Sequence, residues 1–417
     1  MPSRFGRSDP TPPIVVIGAG AAGAMAAIFA AGGSRRVLLL ERTRDGGRKI
    51  LMSGGGRCNV LPSRLSPSQY VTASSPNTLK KILLSWPLVE QRRFFEEELR
   101  LPLGIESETG KLFPLSNKSH DVRDGLLAMA EHRGGQHRFG AYVVGLEPSP
   151  ALDEWSVRLK DGAAIRASRV VIATGGLSVP ATGSDGTGIN IVRRLGHTVH
   201  DLYPALTPLT ASPHRYAALS GISLHATLEA PTPKGKFTTR GGFLFTHKGY
   251  SGPAVLDISH LAVLSRLRGG PRQEIYVRWT DLDAAAWDRL LREGEGTVLA
   301  VLRGHLPARL AEALLEDAAI AGTTPTAQLK REDRLRLVET LTHHRLHWTG
   351  DEGYQKAEVT GGGVALNEVD PRTLESRIHR GLFLCGEILD AFGPIGGYNF
   401  AWAWATGRAA GLGAANT

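Results

Sequence analysis

Three glycines near the start of the chain have the spacing of a dinucleotide-binding turn. The apolar run Ile14 to Ile17 is followed by Gly18, Gly20 and Gly23 and by a stretch of small residues. In such a turn the first glycine makes the bend, the second lets the backbone approach a pyrophosphate, and the third lets the next helix lie close to the sheet. The helix then directs its free N–H groups and its positive dipole end at the phosphates. The spacing therefore predicts a dinucleotide site.

A carboxylate follows at the position where this kind of site binds ribose. The second apolar run, Val37 to Leu40, ends at Glu41. A carboxylate accepts hydrogen bonds from a free ribose hydroxyl and repels a 2′-phosphate, so FAD or NAD is favoured over NADP. The alternative for the uncharged residues 14–34 is a signal peptide or a membrane span. The phased glycines and the strand that follows them favour the nucleotide site.

A glycine-rich, basic segment comes directly after this acid. Residues 46–59 contain consecutive glycines together with Arg48, Lys49 and Arg57. Consecutive glycines let backbone N–H groups converge on an anion or a flavin edge, and the cations add positive charge beside the phosphates. The alternative is a flexible surface loop with solvated charges. Its position after Glu41 favours contact with the cofactor.

A distant element near the C-terminus has the same character. A predicted strand ends in Gly386 and Glu387, and the pair Gly396 and Gly397 opens a helix. The acid is suited to a ribityl chain, and the helix dipole to an anion such as the N1–O2 edge of a reduced flavin. The alternative is an ordinary strand–turn–helix crossover. Another glycine turn, Gly183 to Gly188, is equally consistent with an anion cradle and with a plain helix entry.

The elements that must position these residues indicate an α/β protein with a discontinuous Rossmann-type domain. A chain of 417 residues has room for two or three domains. Residues 76–100 are predicted to be helical, as is Asp121 to His132 with Ser119 as its cap. From about residue 197, short strands separated by Pro and Gly predict an antiparallel or barrel-like unit, and then a helical cluster. The predicted division is a disordered tail at 1–13, the FAD-binding domain at 14–195 and 345–417, and an inserted substrate domain at 196–344 with a barrel-like part at 197–281 and a helical part at 282–344.

These motifs give the chain a resemblance to a known family. It resembles the bacterial NAD(P)/FAD-dependent oxidoreductases of the two-dinucleotide-binding fold, which include aminoacetone oxidases and bile-acid dehydrosteroid reductases. The resemblance covers nearly the whole chain. The motifs that carry it are Gly18–Gly23, Gly47-Arg48-Lys49 with Ser53–Asn59, Ala173–Gly176, Phe245-Thr246-His247 with Ser251-Gly252-Pro253, Val359–Val364 and Gly386–Asn399.

The resemblance implies FAD, with its adenosine at Gly18–Glu41 and its flavin beside the two glycine-rich loops. It also implies an insert with a β-barrel and a helical part. Two segments, Val60-Leu61-Pro62 and Ala391–Ile395, depart from the usual family pattern near the flavin. The predicted cofactor-binding residues are Gly18, Gly20, Ala21, Ala22, Gly23, Glu41, Arg42, Gly47, Arg48, Lys49, Ser53, Gly54, Gly55, Arg57, Cys58, Asn59, Val143, Thr174, Gly175, Gly176, Gly386, Glu387, Asp390, Gly396, Gly397, Tyr398 and Asn399.

Candidate catalytic groups in the insert are His247 and Tyr250, which have the chemistry of an acid or base acting on a substrate over the flavin. The alternative is that His247 hydrogen-bonds a neighbouring loop and Tyr250 packs at the domain interface. We expect hydride transfer through flavin N5 to or from a small organic substrate, with NAD(P)H as donor and an activated C=C bond as acceptor. An amine oxidase of the aminoacetone type, using O2, is the alternative. A flavin-bound RNA-binding or regulatory protein is the alternative from another class.

Composition bounds the remaining choices. The net charge is +9 and the pI about 9.7, but the basic residues are scattered among acids, so we expect no nucleic-acid partner. Two distant cysteines, Cys58 and Cys385, give no disulfide framework, and the cytoplasm is the expected compartment. They are expected to be buried rather than a redox pair. No metal site is expected at His343, His344 and His347, which lack carboxylate or cysteine neighbours in the sequence.

Overall fold

The computed structural model describes residues 11–417 except 32, 34, 150 and 152. Most of the predicted tail, residues 1–10, therefore lies outside the described residues. The chain forms two compact units: unit 1 runs up to Leu202 and resumes at Val359–Thr417, and unit 2 is Tyr203–Glu358. The predicted domain boundaries remain predictions.

The strands of the described residues are numbered in chain order. They are β1 (Ile14–Ile17), β2 (Val37–Glu41), β3 (Leu61–Pro62), β4 (Leu103–Glu106), β5 (Lys111–Pro114), β6 (Gly135–Phe139), β7 (Val143–Ser149), β8 (Glu154–Leu159), β9 (Ala164–Ala167), β10 (Arg169–Ile172), β11 (Val199–Ala205), β12 (Leu209–Thr210), β13 (Ser223–Thr232), β14 (Gly235–Phe245), β15 (Gly249–Ser251), β16 (Tyr276–Arg278), β17 (His344–Arg345), β18 (Gly350–Asp351), β19 (Val359–Val364) and β20 (Leu382–Leu384).

The α-helices are also numbered in chain order. They are α1 (Ala21–Ala30), α2 (Arg48–Met52), α3 (Pro76–Leu83), α4 (Leu88–Arg93), α5 (Ser119–His132), α6 (Thr187–Arg194), α7 (Pro253–Leu267), α8 (Ala284–Glu293), α9 (Val298–Arg303), α10 (Ala308–Asp317), α11 (Arg331–Thr342) and α12 (Tyr398–Asn416). No helix of the described residues combines the length and the apolar character that a membrane crossing requires.

A five-stranded sheet in the order β20-β10-β1-β2-β6 forms the centre of unit 1. All of its pairs are parallel, and β1 lies between β10 and β2 with Ile14 opposite both Arg169 and Val37. Every residue of β1, β10 and β20 is buried. Parallel strands that are covered on both faces consist of nearly continuous apolar residues, and this is why these segments were recognisable as strands in the sequence.

Helices α1 and α12 pack closely against each other in unit 1. A Cβ added at Gly407 would lie 2.4 Å from the carbonyl oxygen of Ala22, and one at Gly411 would lie 2.4 Å from that of Ala26. Only glycine permits so close an approach of two backbones. The last helix is thereby fixed against the helix that opens the dinucleotide motif.

Unit 2 is built on a seven-stranded sheet in the order β17-β16-β13-β14-β15-β12-β18. All of its strand pairs are antiparallel, and β17 and β18 are its edge strands. Of the antiparallel or barrel-like unit predicted from the sequence, the structure shows an antiparallel sheet. Helices α8 to α11 supply the predicted helical cluster. Phe243, Trp279 and Trp287 lie in the shared core.

Two helix predictions were wrong in detail. The segment 76–100 is interrupted before Pro87, because proline lacks an N–H group and its ring disfavours a preceding helical turn. The N-cap of α5 is Lys118 rather than Ser119. The Ser119 hydroxyl instead donates to the carbonyl oxygen of Leu51 at 3.1 Å.

Candidate cofactor site

The turn between β1 and α1 has the geometry that its glycines predict. Gly18 has φ +101°, and a Cβ there would lie 2.5 Å from the oxygen of Ala173, whereas one at Gly23 would lie 1.8 Å from the oxygen of Gly18. A Cβ on Gly20, the N-cap of α1, would meet nothing within 4 Å. No side chain caps this helix. Uncapped N–H groups facing open space fit the pyrophosphate of a dinucleotide.

Glu41, at the end of β2, ties this turn to the next loop. Its Oε2 accepts from the backbone N–H of Ala19 at 2.8 Å, and its Oε1 accepts from the N–H and the hydroxyl of Thr43 at 2.7 and 2.8 Å. The carboxylate is therefore held at the edge of the α1 N-terminus. This is where the predicted ribose contact requires it, and that contact itself remains a prediction.

A charged cluster that the sequence did not reveal surrounds the next residue. Arg42 forms an ion pair with Asp185, and its guanidinium carbon lies 4.6 Å from the centre of the Tyr142 ring. The Tyr142 hydroxyl donates to Asp185 at 2.8 Å. Burial raises the pKa of Asp185, but hydrogen bonds from Thr187, Tyr142 and Arg42 outweigh it and lower the pKa to about 2. The only signal in the sequence was the Gly183–Gly188 turn.

The glycine-rich loop after Glu41 begins with α2 and continues through positive-φ residues Gly54, Gly55 and Gly56. Two of its three cations pair with acids in the N-terminal part of unit 1. Arg48 pairs with Asp45, whereas the Arg57 guanidinium lies 4.0 Å from the centre of the Phe113 ring and pairs with Glu106. A Cβ on Gly55 would meet nothing within 4 Å, so the backbone is open to a ligand there.

The third cation joins the loop to the C-terminal element. Lys49 Nζ donates to Glu387 Oε2 at 2.7 Å and also to the Ser178 hydroxyl. Ser178 in turn donates to Glu387 Oε1 at 2.7 Å, and the backbone N–H of Thr360 donates to the same oxygen at 3.0 Å. Burial raises the pKa of Glu387, but the charge and hydrogen bond of Lys49, with those of Ser178 and Thr360, lower it overall. Glu387 is thus a carboxylate that accepts hydrogen bonds from three donors.

Around the Ala173–Gly176 turn the packing is tight. A Cβ on Gly176 would lie 2.3 Å from the Thr360 hydroxyl, and the Thr174 hydroxyl is buried with no hydrogen-bond partner among the described residues. A buried hydroxyl without a hydrogen-bond partner destabilises the folded protein unless a ligand or a water molecule supplies that partner. Thr174, Gly175 and Gly176 stay predicted cofactor contacts.

Two predicted cofactor contacts of the C-terminal element are engaged in holding loops together. Asp390 Oδ2 accepts from the backbone N–H of Ser74 at 2.8 Å and from its hydroxyl at 2.7 Å. The Asn399 amide donates to and accepts from the Gly393 backbone, each at 2.9 Å. These side chains position the loops before α12, and their contact with a cofactor remains a prediction. The helix begins at Tyr398 after Gly397, with no side-chain cap.

Both cysteines are buried free thiols. Burial raises the pKa of Cys58 to about 12, against the smaller lowering effect of Ser53, and it raises the pKa of Cys385 as well. Neither group is a thiolate near neutral pH, so neither has the chemistry of a reactive cysteine.

The two candidate catalytic residues differ in exposure. His247 is exposed on the turn between β14 and β15. Tyr250 is 1% exposed, pairs across the sheet with Leu209 and Phe245, and packs in the core of unit 2. Burial and the nearby Asp317 carboxylate raise its pKa. No group of three metal-ligating side chains occurs in the part of the chain that the structure describes.

These features together fit a bound FAD. The α1 N-terminus and Glu41 would hold the pyrophosphate and adenosine ribose, and the two glycine-rich loops would hold the flavin end. The family model described as the HI0933-like protein Rossmann domain matches residues 12–413. The chain belongs to this family. Its members are FAD-binding oxidoreductases with a Rossmann-type domain.

Three relatives align with the chain over nearly their full lengths. The chain is 34% identical to the ribosomal RNA dihydrouridine synthase of Escherichia coli (94% of this chain, 95% of the relative) and 30% identical to that of Haemophilus influenzae (95% and 97%). It is 33% identical to the 3-dehydro-bile acid delta(4,6)-reductase of Clostridium scindens (90% and 91%).

Among solved structures, a 3-ketosteroid-delta4-(5alpha)-dehydrogenase from Rhodococcus jostii aligns over 99% of both chains at 16% identity, with a TM-score of 0.49.

Proposed function

We propose that this protein is an FAD-dependent reductase that uses NAD(P)H to saturate a carbon–carbon double bond conjugated to a carbonyl group, and that its substrate is a uracil base in ribosomal RNA. The observation that carries the proposal is the near full-length identity of about one third to two ribosomal RNA dihydrouridine synthases and to a bile-acid reductase. Dihydrouridine is uridine with its C5–C6 double bond saturated. The two kinds of relative therefore have names that describe one class of reaction.

The reaction needs a hydride at one carbon of the double bond and a proton at the other. When bound, FAD would supply the hydride through N5, after reduction by the nicotinamide donor. The chain supplies binding and orientation: the α1 N-terminus and Glu41 hold the nucleotide end, and Lys49 with Glu387 fixes the relative position of the two glycine-rich loops. Because His247 is exposed and Tyr250 is enclosed in an apolar core, we propose His247 as the proton donor and a packing role for Tyr250.

RNA as the substrate replaces the expectation, based on scattered charge, of no nucleic-acid partner. A net charge of +9 favours association with a polyanion, although scattered arginines by themselves point to no binding face. A steroid-like enone is the second candidate substrate, and the bile-acid reductase relative favours it.

Two measurements test the proposal. In the first, the purified flavoprotein is titrated anaerobically with NADPH and, separately, with NADH. We expect the flavin absorbance to bleach with at least one donor. A flavin that neither donor reduces but that an amine substrate bleaches would make the protein an oxidase, and a flavin that nothing reduces would favour an RNA-binding or regulatory role.

In the second, ribosomal RNA from cells lacking this protein is incubated with enzyme and donor, and its nucleosides are analysed by mass spectrometry. We expect one uridine to gain two hydrogens. A parallel reaction contains a steroid with a double bond conjugated to a ketone. Turnover of the steroid with unchanged RNA would assign the second substrate class instead.

A further inference from the structure

A small groove on unit 2 contains groups that the proposed reaction does not use. It has a volume of about 200 Å³, and its lining includes Glu229, Tyr276, Arg278, Asp283 and His343. The strands β13 and β16 form its floor, and residues at the end of α11 and the start of α8 form its walls. It combines aromatic rings, one guanidinium group and two carboxylates.

The sheet register brings the floor residues together. Glu229 lies directly opposite Tyr276 in the antiparallel pair of β13 and β16. Because side chains alternate along a strand, Tyr276 and Arg278 share one face, and Val277 between them points to the other and is fully buried. The polar face of this strand is therefore turned away from the core.

Two rings form a stacked platform at this groove. The Tyr276 and His343 rings have centroids 3.9 Å apart and are inclined by only 9°. His343 is exposed. Flat stacks of this kind are surfaces on which a further planar ring, such as a nucleobase, is held.

Several polar atoms around the platform have no hydrogen-bond or ion-pair partner among the described residues. The Arg278 guanidinium has no hydrogen bond or ion pair with any of the described residues. Glu229 uses Oε2 for Lys236, and Asp283 uses Oδ1 to cap α8 through the N–H of Ala286. Glu229 Oε1 and Asp283 Oδ2 have no such partner in the described part of the chain.

This combination selects among planar ligands. Guanine presents acceptors at O6 and N7, which suit an arginine, and donors at N1 and N2, which suit carboxylates. Uracil lacks an exocyclic amino group that could donate to the carboxylates. Adenine carries an amino donor at C6, where guanine has the oxygen that suits the arginine. Two carboxylates in the groove also repel a phosphate group, so the base rather than the backbone is the suitable occupant.

We propose that this groove binds an unpaired guanine of the RNA substrate, as a contact additional to the reacting uracil. The proposal rests on RNA being the substrate, as proposed above. Guanine as a free nucleotide has the same chemistry, and competition by the free nucleotide separates the two sources.

The test uses the FAD-loaded protein and short fluorescent uridine-rich RNAs that contain a single guanine or, in the matched probe, a single adenine. We expect the guanine RNA to bind more tightly. The substitution His343→Ala should weaken that binding about tenfold, because it removes one stacking ring. Glu229→Gln should reduce the preference for guanine over adenine. The matched control is His347→Ala, an exposed histidine that does not line the groove, and it should bind as the wild type does.

Each other result overturns the groove proposal. Equal binding of the two RNAs, or unchanged binding by His343→Ala, would do so while leaving the proposed function intact. Guanosine monophosphate that competes as strongly as the whole RNA would reassign the groove to a free nucleotide. No RNA binding by the wild type would also overturn it, and the formation of dihydrouridine in ribosomal RNA then decides separately whether the proposed function fails. Flavin reduction by the nicotinamide donor serves as the folding control for every variant.

Discussion

Lys49 Nζ and Glu387 Oε2 lie 2.7 Å apart although they are 338 positions apart in the chain. The pair joins the loop that follows the dinucleotide motif to the strand end that precedes α12. Both side chains are mostly buried, so each charge depends on the other for its stability in the folded protein.

Removing one partner of this pair should be more harmful than removing both charges. In Lys49→Met the Glu387 carboxylate loses its cation, and we expect the free energy of unfolding of unit 1 to fall by about 3 kcal/mol. FAD retention should fall as well, because the two loops lose their link. Adding Glu387→Gln to Lys49→Met should recover part of the stability. Urea unfolding of the apo and FAD-loaded forms measures both effects. A double variant with a lower free energy of unfolding than Lys49→Met would contradict the pairing.

Glu41→Ala should weaken FAD retention, because the adenosine ribose loses its acceptor. The substitution also removes the acceptor for the N–H groups of Ala19 and Thr43, so stability is measured separately on the apoprotein. Glu41→Gln keeps the side-chain shape and is the matched comparison. The ratio of flavin to protein after gel filtration gives the result. Stoichiometric flavin in a folded Glu41→Ala variant would disprove the ribose contact.

The buried His260 should make unit 2 sensitive to acid. Burial lowers its pKa from 6.5 to about 4, against the smaller raising effect of its bond to the Asp257 carbonyl. The unfolded chain therefore binds this proton at higher pH than the folded chain does. Above pH 6.5 this group leaves the free energy of unfolding of unit 2 at its full value. As the pH falls from 6.5 toward 4, that free energy decreases by about 3 kcal/mol.

His260→Gln removes the titrating group, and the exposed His347→Gln is its control. Urea midpoints measured across this pH range should converge for the wild type and His260→Gln as the pH falls. The wild type and His347→Gln should instead keep a constant difference. Parallel curves for His260→Gln and the wild type would mean that His260 is not the group that responds.

His247→Ala should keep its bound flavin and lose turnover, because the exposed imidazole is the proposed proton donor. Tyr250→Phe is the matched comparison, and we expect it to turn over at nearly the wild-type rate since its ring packs in the core. The readouts are the flavin spectrum, the rate of bleaching by the nicotinamide donor, and the rate of substrate reduction. Bleaching should be unchanged in both variants. Normal turnover in His247→Ala would give that residue a structural role only.

The sequence predicted those parts of the site that are local in the chain. Gly18, Gly23 and Glu41 were recognisable because a strand, a turn, a helix and a second strand follow one another. Gly23 is required by the carbonyl oxygen of Gly18 in the same motif, whereas the atom that requires Gly18, the carbonyl oxygen of Ala173, belongs to a distant segment. The parallel sheet was predictable for a similar reason, because strands buried on both faces appear as uninterrupted apolar runs.

Contacts between distant segments could not be predicted. Asp390 stays a predicted flavin contact, but nothing in the sequence indicated that its Oδ2 also accepts a hydrogen bond from Ser74, which lies 316 positions away. Thr360 and Ser178 carry no motif that marks them as partners of Glu387. A carboxylate beside a glycine has the same appearance in a sequence whether it binds a ligand or clamps a loop. Only the folded backbone decides which donors reach it.

The close contact of α1 with α12 has a consequence for the order of events during synthesis. The dinucleotide turn is made before unit 2, but Glu387 and α12, which complete its surroundings, are made after all of unit 2. Domains generally fold as units once their residues are available. The nascent chain therefore exposes an apolar, incomplete nucleotide-binding half until α12 has been made, and we expect the flavin to load only after that point.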